Sequence, residues 1–237
     1  MRFIMLLLLL TTLVYGGIVP NTPEDVLAVR ALIEKFDTPG LVDIEGRGTI
    51  PAFVVYAEKV AAYGNCAVDP LIEALGEEGQ VRVAAAIALD MIGPAAIKAA
   101  PQVIELLGSS VDRDNILGCG IVRGIGRGAV KLVPHLLPLL GADNFHVQYW
   151  ACRALSSIGP GAHVATDNLN RLLFTGAASA RRNAAIALGS IAPGMTLRQI
   201  QETIDALTAA TEDVCHPVRV EAIAALKKIT DFQAQVD

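Results

Sequence analysis

The sequence predicts an all-α superhelix, a solenoid of about five to six stacked helix pairs. Four segments align at a constant spacing of 33 residues, and a fifth copy follows after a longer gap. The copies begin at Val81, Asp114, Val147, Ala180 and Val218. A fixed period of this length is typical of repeats that bury their apolar faces against their neighbours. Aromatic residues are only 5% of the chain, which suits helices that pack closely through small side chains.

Each repeat is predicted to contain two helices, of which the second carries the aligned motif. In the first copy, VRVAAAIALDMIG, apolar residues recur at helical spacing and fall on one face. This face consists of Val81, Ala85, Ala88, Leu89 and Ile92. The glycines expected to close these helices in a left-handed conformation are Gly93, Gly126 and Gly159. The prolines expected to prevent continuation of the helix are Pro94, Pro160 and Pro193.

The first helix of each repeat carries a proline followed by regularly spaced leucine, valine and isoleucine residues. We expect the proline in the first helical turn, because its missing N–H has no partner to lose there. The copies of this pattern start at Pro70, Pro101, Pro134 and, without the proline, Asp167. The glycines expected to end these first helices are Gly76, Gly108 and Gly141.

The chain divides into four predicted regions: 1–16 signal peptide or uncleaved anchor, 17–49 capping helix and loop, 50–230 solenoid, and 231–237 polar tail. Thr22 and Pro23 are the expected cap and first residue of a helix that reaches about Phe36. A Gly-rich loop is predicted at 37–49. Terminal repeats are expected to be atypical, since they cover an otherwise exposed core, and the tail is expected to fray.

The first residues have the pattern of a secretory signal peptide. Arg2 precedes the uncharged run FIMLLLLLTTLVY, and small residues follow it. Val14 and Gly16 fit the −3 and −1 positions of a cleavage site. The run is shorter than the roughly 20 residues of a membrane span, but the residues after it extend it to a marginal one. The expected location is therefore secreted, periplasmic or otherwise extracytoplasmic, with an uncleaved membrane anchor as the alternative.

The charge balance argues against a nucleic-acid groove, and the positions of the cysteines argue against disulfide bonds. The net charge of −5 is spread without a basic block, so no nucleic-acid groove is predicted. Cys119 and Cys152 occupy the same position in adjacent copies, where stacked helices lie about 8–10 Å apart. A disulfide needs a shorter separation between its Cα atoms. We therefore interpret all four cysteines as free thiols, with Cys66 and Cys215 in turns.

The repeat resembles the HEAT-like repeats of the phycobilin-lyase-type family, within the armadillo-type superfamily. The resemblance covers roughly Ala52 to Ile229. It is carried by the proline-containing first helices and by Val81-Arg82, Ala85, Ala88-Leu89, Ile92-Gly93 and their copies. It implies an α-solenoid. Members of the wider family are mostly scaffolds that hold other proteins, and a few are subunits of chromophore lyases.

No pattern in the sequence favours catalysis, a metal or a cofactor. The four histidines are scattered over predicted helix starts and turns, and no H-E-x-x-H or Cys-x-x-Cys occurs. Some HEAT-repeat enzymes bind iron through His-Glu pairs, but no histidine here is followed by glutamate. A cysteine nucleophile needs a nearby base and partial exposure, whereas Cys119 and Cys152 are expected to face inward.

Two irregular features allow both a structural and a binding interpretation. Polar residues recur directly after the first motif position, at Arg82, Asn115, Gln148, Arg181 and Arg219. In HEAT-like repeats such a ladder is structural; the alternative is ligand contact. The copy that begins at Asp114 contains the stretch GCGIVRGIGRG, whose interior glycines each cost roughly 1 kcal/mol relative to alanine. The structural interpretation of Gly118, Gly120 and Gly124 is close helix packing or sequence drift. The binding interpretation is that a partner approaches the backbone there.

A candidate binding patch for an acidic or aromatic peptide lies on the concave side, which second helices line in this fold class. Motif positions 83, 84, 87 and 90 are expected to point away from the first helices. The patch consists of Arg123, Tyr149, Trp150, Arg153 and Arg182. Trp, Tyr and Arg dominate binding hot spots, and Arg pairs bidentately with carboxylates or phosphates. The alternative is that Trp150, the single tryptophan, fills a gap between helices while the arginines are only solvated.

The predicted function is non-catalytic binding of a protein or peptide partner on the concave face. A subunit of a phycobilin-lyase-like chromophore enzyme and a purely structural spacer are the alternatives. An export signal disfavours the lyase, because such enzymes work inside the cell.

Sequencing the N-terminus of the mature chain tests the assignment of the leader. Cleavage after Gly16 leaves Gly17 as the first residue. A membrane-bound chain that still begins at its original N-terminus would show that the segment is an anchor.

Overall fold

The computed structural model describes residues 22–44 and 47–236 of the chain. The predicted signal segment and its cleavage site lie outside the described residues. Helix α1 (Pro23–Ile33) is followed by strands β1 (Leu41–Ile44) and β2 (Gly48–Pro51). The helices after the strands are α2 (Ala52–Ala61), α3 (Asn65–Leu75), α4 (Gly79–Ile92), α5 (Ala100–Leu107), α6 (Asp112–Ile125), α7 (Val133–Leu136), α8 (Phe145–Ile158), α9 (Thr166–Thr175), α10 (Ala178–Ile191), α11 (Leu197–Ala210) and α12 (His216–Val236).

The predicted repeat is confirmed in the second helices. Helices α4, α6, α8 and α10 each contain 14 residues. Their first residues lie 33 positions apart in the chain, and helix α12 is the fifth copy after the longer gap. One continuous apolar core extends from α1 to α12, so the described chain is an all-α solenoid with one small hairpin near its start.

The N-terminal cap of α1 is confirmed, but the predicted loop after it is partly wrong. The Asp25 N–H donates to the Thr22 hydroxyl over 3.2 Å, and the Thr22 N–H donates to the Asp25 carboxylate over 3.0 Å. Within the predicted loop at 37–49, β1 pairs antiparallel with β2, and Leu41 lies opposite Pro51. Valine, isoleucine and threonine favour extended backbone here, and Gly48, one of the glycines that suggested a loop, is the first residue of β2.

The glycines that end the second helices have the predicted positive φ but a different ψ. Gly93, Gly126 and Gly159 have φ of +79°, +63° and +68° with ψ of −135°, −132° and −140°. This backbone conformation is outside the left-handed helical region that we predicted, and residues other than glycine rarely adopt it. It turns the chain directly into a 3₁₀ segment, so Pro94 and Pro160 begin a new helical segment as well as ending the old one.

The two ends of the repeat region differ from the prediction in detail. Pro101 and Pro134 lie in the first turns of α5 and α7, but Pro70 lies inside α3. The chain turns at Gly64 without a 3₁₀ segment, so α3 starts earlier and its first turn contains Cys66, which was expected in a turn. At the other end α12 continues to Val236 where fraying was expected after Asp231. Phe232 is partly buried there, and no glycine or proline interrupts the helix.

The second helices form the inner layer of the solenoid. Each packs against the second helices before and after it, and these contacts are more extensive than those between successive first helices. The layer whose helices contact one another more extensively is the inner, concave one. Ala85, Ala88 and Leu89 are buried as predicted, and Cys119 and Cys152 are fully buried. The stretch Gly79–Leu107 is apolar and long enough for a membrane span by length and composition, but it comprises α4, a 3₁₀ segment and α5 packed within the stack.

The polar ladder is structural, as predicted. Its side chains donate hydrogen bonds to carbonyl groups in the last turn of the first helices or just after it, where the i+4 N–H donors of a continuing helix are missing. The donor–acceptor distances are 3.1 Å for Arg82 to Leu75, 3.0 Å for Asn115 to Leu106, 2.8 Å for Gln148 to Ala142, 2.9 Å for Arg181 to Gly176 and 2.8 Å for Arg219 to Asp213. The ladder thus joins the two helices of each repeat.

Two ladder arginines also form ion pairs with the next repeat. Arg82 pairs with Asp114 over 3.2 Å, and Arg181 pairs with Asp213 over 2.7 Å and 2.8 Å. The hydrogen bonds from Arg181 hold the pKa of the Asp213 carboxyl below its ordinary value. The ladder therefore connects successive repeats as well as the helices within them.

Two of the interior glycines of α6 are explained by close packing. A Cβ at Gly124 would lie 2.2 Å from the backbone oxygen of Asp90 on α4, and one at Gly118 would lie 2.9 Å from the Leu107 side chain. A Cβ at Gly120 would meet nothing within 4 Å. Packing therefore requires glycine at Gly124, where the neighbour is backbone, favours it at Gly118, where the neighbours are side chains, and leaves Gly120 unexplained.

Replacing Asp213 with Asn is expected to lower the free energy of unfolding at pH 7 by about 1–3 kcal/mol, because Arg181 loses its charged acceptor. A carboxyl whose pKa is depressed by folding stabilises above its ordinary pKa near 3.8, and this contribution is lost as pH falls through the folded value. The difference between wild type and variant should therefore shrink in acid. Asp143→Asn, at an exposed position, is the control, and a difference independent of pH would contradict the account.

Alanine substitutions at two glycines of α6 should have opposite effects on stability. Gly120→Ala should raise the free energy of unfolding by about 0.5–1 kcal/mol through helix propensity, because its site is open. Gly124→Ala should lower it by about 1–3 kcal/mol, since the backbone of α4 must move. Denaturant unfolding measures both, and a neutral Gly124→Ala would show that the helices are not in tight contact.

Candidate functional site

Four of the five predicted patch residues come together on α6 and α8. Arg123 lies in the last turn of α6, and Tyr149, Trp150 and Arg153 lie in the middle of α8. Tyr149 and Arg153 are four residues apart, so they share a helical face. We call Arg123, Tyr149, Trp150 and Arg153 the cation–aromatic cluster.

The two aromatic rings hold the Arg153 guanidinium in place. Its central carbon lies 5.3 Å from the centroid of the Trp150 ring and 5.6 Å from that of Tyr149. One terminal nitrogen donates to the Tyr149 hydroxyl over 2.8 Å. The rings of Tyr149 and Trp150 meet edge to face at 83°, with centroids 5.6 Å apart. Cation–π attraction and the hydrogen bond therefore fix a partly exposed cation in one position.

Arg123 also faces Trp150, but its charge is compensated. The Arg123 guanidinium forms an ion pair with Asp90 of α4 and lies 5.8 Å from the centroid of the Trp150 ring. Burial raises the pKa of the Asp90 carboxyl, against the opposing effect of Arg123 and Arg153. By contrast, no carboxylate of the described residues forms an ion pair with Arg153. Arg153 is therefore the cation of the cluster that can accept a partner's negative charge.

The fifth predicted residue, Arg182, is not part of the cluster. It lies on α10, and its guanidinium pairs with Glu221 of α12 over 2.7 Å. Its side chain is 48% exposed, so the charge is solvated as well as paired. The prediction placed Arg182 correctly on the inner layer, but the longer gap before α12 concealed the acidic partner.

Trp150 combines both interpretations of its role. It is partly buried and packs against the hydrophobic core, while its ring contacts two guanidinium groups. Its motif position was expected to point away from the first helices, yet Ala84 and Asn183, at the same position in other copies, are buried. The reason is that second helices are flanked on both sides by other second helices, so a side chain there lies between helices rather than on an open face.

A cavity of about 320 Å³ adjoins Arg153. It is lined by Arg123, Cys152, Arg153, Ser156, Ser157 and Asn183, from three successive second helices. We call this space the Arg153 cavity. Beside it, the hydroxyl groups of Ser156 and Ser190 lie 2.9 Å apart and connect α8 with α10.

Sequence reasoning missed Asp90 and the serine and asparagine residues of the cavity. For Asp90 a signal existed. Asp90 and Arg123 occupy the same motif position one period of 33 residues apart, and opposite charges so placed meet across adjacent helices. The serines and Asn183 carried no such signal, because their contribution depends on the space between helices.

The buried thiols of Cys119 and Cys152 are not activated as nucleophiles. Burial raises the pKa of the Cys119 thiol to about 12, and it also raises the pKa of the Cys152 thiol. All four cysteines have free thiols in the structure. Within residues 22–44 and 47–236, no group of histidine, cysteine, aspartate and glutamate side chains could hold a metal ion. The arrangement offers guanidinium, hydroxyl and amide groups beside aromatic rings.

Comparison with known proteins identifies the fold. No protein-family model and no curated protein sequence matches the chain. Among solved structures, an engineered protein covers 87% of this chain and 90% of its own at 23% identity, with a TM-score of 0.61. A designed armadillo repeat protein covers 89% of this chain and 95% of its own at 20% identity, with a TM-score of 0.57.

The karyopherin Kap121p is also similar. It has a TM-score of 0.64 at 13% identity over 88% of this chain, which spans 25% of the length of Kap121p. At these identities the likeness concerns the fold alone. Together with the repeat register and the continuous core, it establishes that the chain is a HEAT/armadillo-like helical solenoid.

Proposed function

We propose that this chain is a non-catalytic scaffold that binds a protein or peptide partner on its inner helix layer, at the cation–aromatic cluster. The observation that carries the proposal is Arg153. It is a cation without a carboxylate partner among the described residues, held by Tyr149 and Trp150 at the edge of a cavity.

The fixed position of Arg153 favours binding energetically. An arginine loses up to about 2 kcal/mol of side-chain entropy when a contact immobilises it. Here the hydrogen bond to Tyr149 and the Trp150 ring already restrict the side chain. Trp, Tyr and Arg are also the residues most often found in interface hot spots. A partner that contacts this cluster therefore gains interaction energy at reduced entropic cost.

The solved structures of similar fold support protein binding as the type of function. Kap121p has been solved bound to the extreme C-terminus of the protein phosphatase Cdc14p, and also bound to Nup53p. A solenoid of this architecture can thus hold a protein segment. The identity of about 14% means that neither partner is transferred to this chain.

The proposal includes no catalysis, cofactor or nucleic acid. The buried thiols of Cys119 and Cys152 have raised pKa values, which disfavours a cysteine nucleophile. We also propose, from the leader sequence, that the chain is exported. Membrane contact enters only if the leader remains as an anchor.

The double substitution Trp150→Ala with Arg153→Ala is expected to reduce partner capture by about tenfold or more, because it removes two hot-spot side chains. The measurement uses the immobilised chain, an extract of the cells that produce it, and quantitative mass spectrometry. The matched control is Phe174→Ala with Arg171→Ala, which removes an exposed aromatic ring and an arginine from the first-helix layer.

Folding of both variants is checked by circular dichroism and thermal unfolding, since Trp150 also packs against the core. The single variant Arg153→Gln leaves that packing intact and should still weaken capture. Equal capture by wild type and by the inner-layer variants would reject the proposed site, and would favour a spacer role.

A further inference from the structure

The cluster and the Arg153 cavity carry one net positive charge. The charged groups are the guanidinium groups of Arg123 and Arg153 and the carboxylate of Asp90, that is, two positive charges and one negative. The whole chain has a net charge of −5, so this local excess is opposite in sign to that of the molecule. An isolated positive site on an acidic protein selects a negatively charged group.

The Arg153 cavity is rich in hydrogen-bond donors. The Nε–H group of Arg123 is buried and donates to no acceptor among the described residues. The guanidinium of Arg153 donates only to the Tyr149 hydroxyl within the described chain. An unpaired buried donor destabilises the free protein, and an acceptor that enters the cavity removes this unfavourable contribution. The cavity lining contains no carboxylate that could supply one.

The charge balance favours a carboxylate over a phosphate. A carboxylate carries one negative charge and neutralises the single excess positive charge of the site. A phosphate monoester carries about −1.5 to −2 at neutral pH and would leave excess negative charge beside Asp90. The planar guanidinium of Arg153 also matches the two oxygens of a carboxylate.

Partly exposed apolar side chains lie around Gly120, one helix before Arg153. Gly120 of α6 has the same motif position as Arg153 of α8, and a Cβ at Gly120 would meet only open space. Ile87 has this position on α4, and Ile116 lies one turn before Gly120 on α6. Both isoleucines are partly exposed. The open space at Gly120, which helix packing does not require, can therefore take an apolar side chain of a partner.

The distance between these two places sets a spacing in the partner. Neighbouring packed helices lie about 8–10 Å apart. An extended chain advances about 3.3 Å per residue. A partner segment that crosses from α6 to α8 therefore places its apolar side chain about three residues from its acidic one.

We infer that the partner is an extended acidic segment, with an Asp or Glu carboxylate in the Arg153 cavity and an apolar side chain about three residues away over Gly120. This inference rests on the proposed function, because it names the chemistry of the partner at the same site.

A phage-displayed library of random dodecapeptides, selected on the purified chain, tests this inference. Enriched peptides should contain an acidic residue with an apolar residue two to four positions away. In fluorescence anisotropy with synthetic peptides, Glu→Gln at the acidic position should weaken binding by about tenfold or more. Arg153→Gln should abolish the difference between the Glu and Gln peptides, whereas Arg127→Gln, at an exposed arginine beyond the end of α6, should preserve it.

Gly120→Leu tests the apolar contact separately. The variant should fold, because its site is open, and should weaken binding of the selected peptides by filling the place of their apolar side chain.

Three results would overturn the inference. Selected peptides that require Trp150 but have no acidic preference would contradict the carboxylate subsite while leaving the proposed function intact. Tighter binding of a phosphoserine peptide than of the matching glutamate peptide would show that the anion class is wrong. A library that yields no binder dependent on Arg153 would exclude a linear acidic segment as the partner. The proposed function would then be tested separately by the capture experiment with the Trp150 and Arg153 variants.

Discussion

Second helices pack directly on one another from α4 to α12, and the small residues at these contacts allow the helices to approach closely. At Gly124 the backbone of α4 approaches so near that even a methyl group would collide with it. Because α4, α6, α8 and α10 keep one register, residues a period apart in sequence become neighbours in space. The ladder of polar side chains then connects each second helix to the carbonyl groups at the end of its own first helix.

The same register explains how the candidate site forms. Asp90 and Arg123 meet because they occupy one motif position on adjacent helices. Trp150 occupies a position between helices that holds Ala84, Leu117 and Asn183 in other copies, and there it contacts the guanidinium groups of Arg123 and Arg153. The site is thus a local exception to the repeat: a large ring lies where the other copies have smaller side chains, and Gly120 leaves space one helix before. The proposed binding site therefore lies where the periodic packing of the second helices is interrupted.

Much of this was predictable from sequence, because it depends on periodicity and local chemistry. The spacing predicted the second helices, Thr22 and Pro23 predicted the start of α1, and residue type predicted four side chains of the cluster. The β-hairpin was missed because a glycine-rich segment has the composition of a loop, and only the pairing of β1 with β2 shows that it is extended. The Arg182–Glu221 pair was missed because the longer gap before α12 breaks the register that reveals such partners. The cavity depends on the space between three helices, which no single copy of the repeat encodes.

The crystal structure of the chain with a captured partner is the most direct test of the claim that the inner layer at α6 and α8 is the binding surface. We expect a partner bound across these two helices, with a carboxylate at hydrogen-bonding distance from the Arg153 guanidinium. A partner that contacts only the first helices α5, α7 and α9, with Arg153 still bonded only to Tyr149, would contradict this claim.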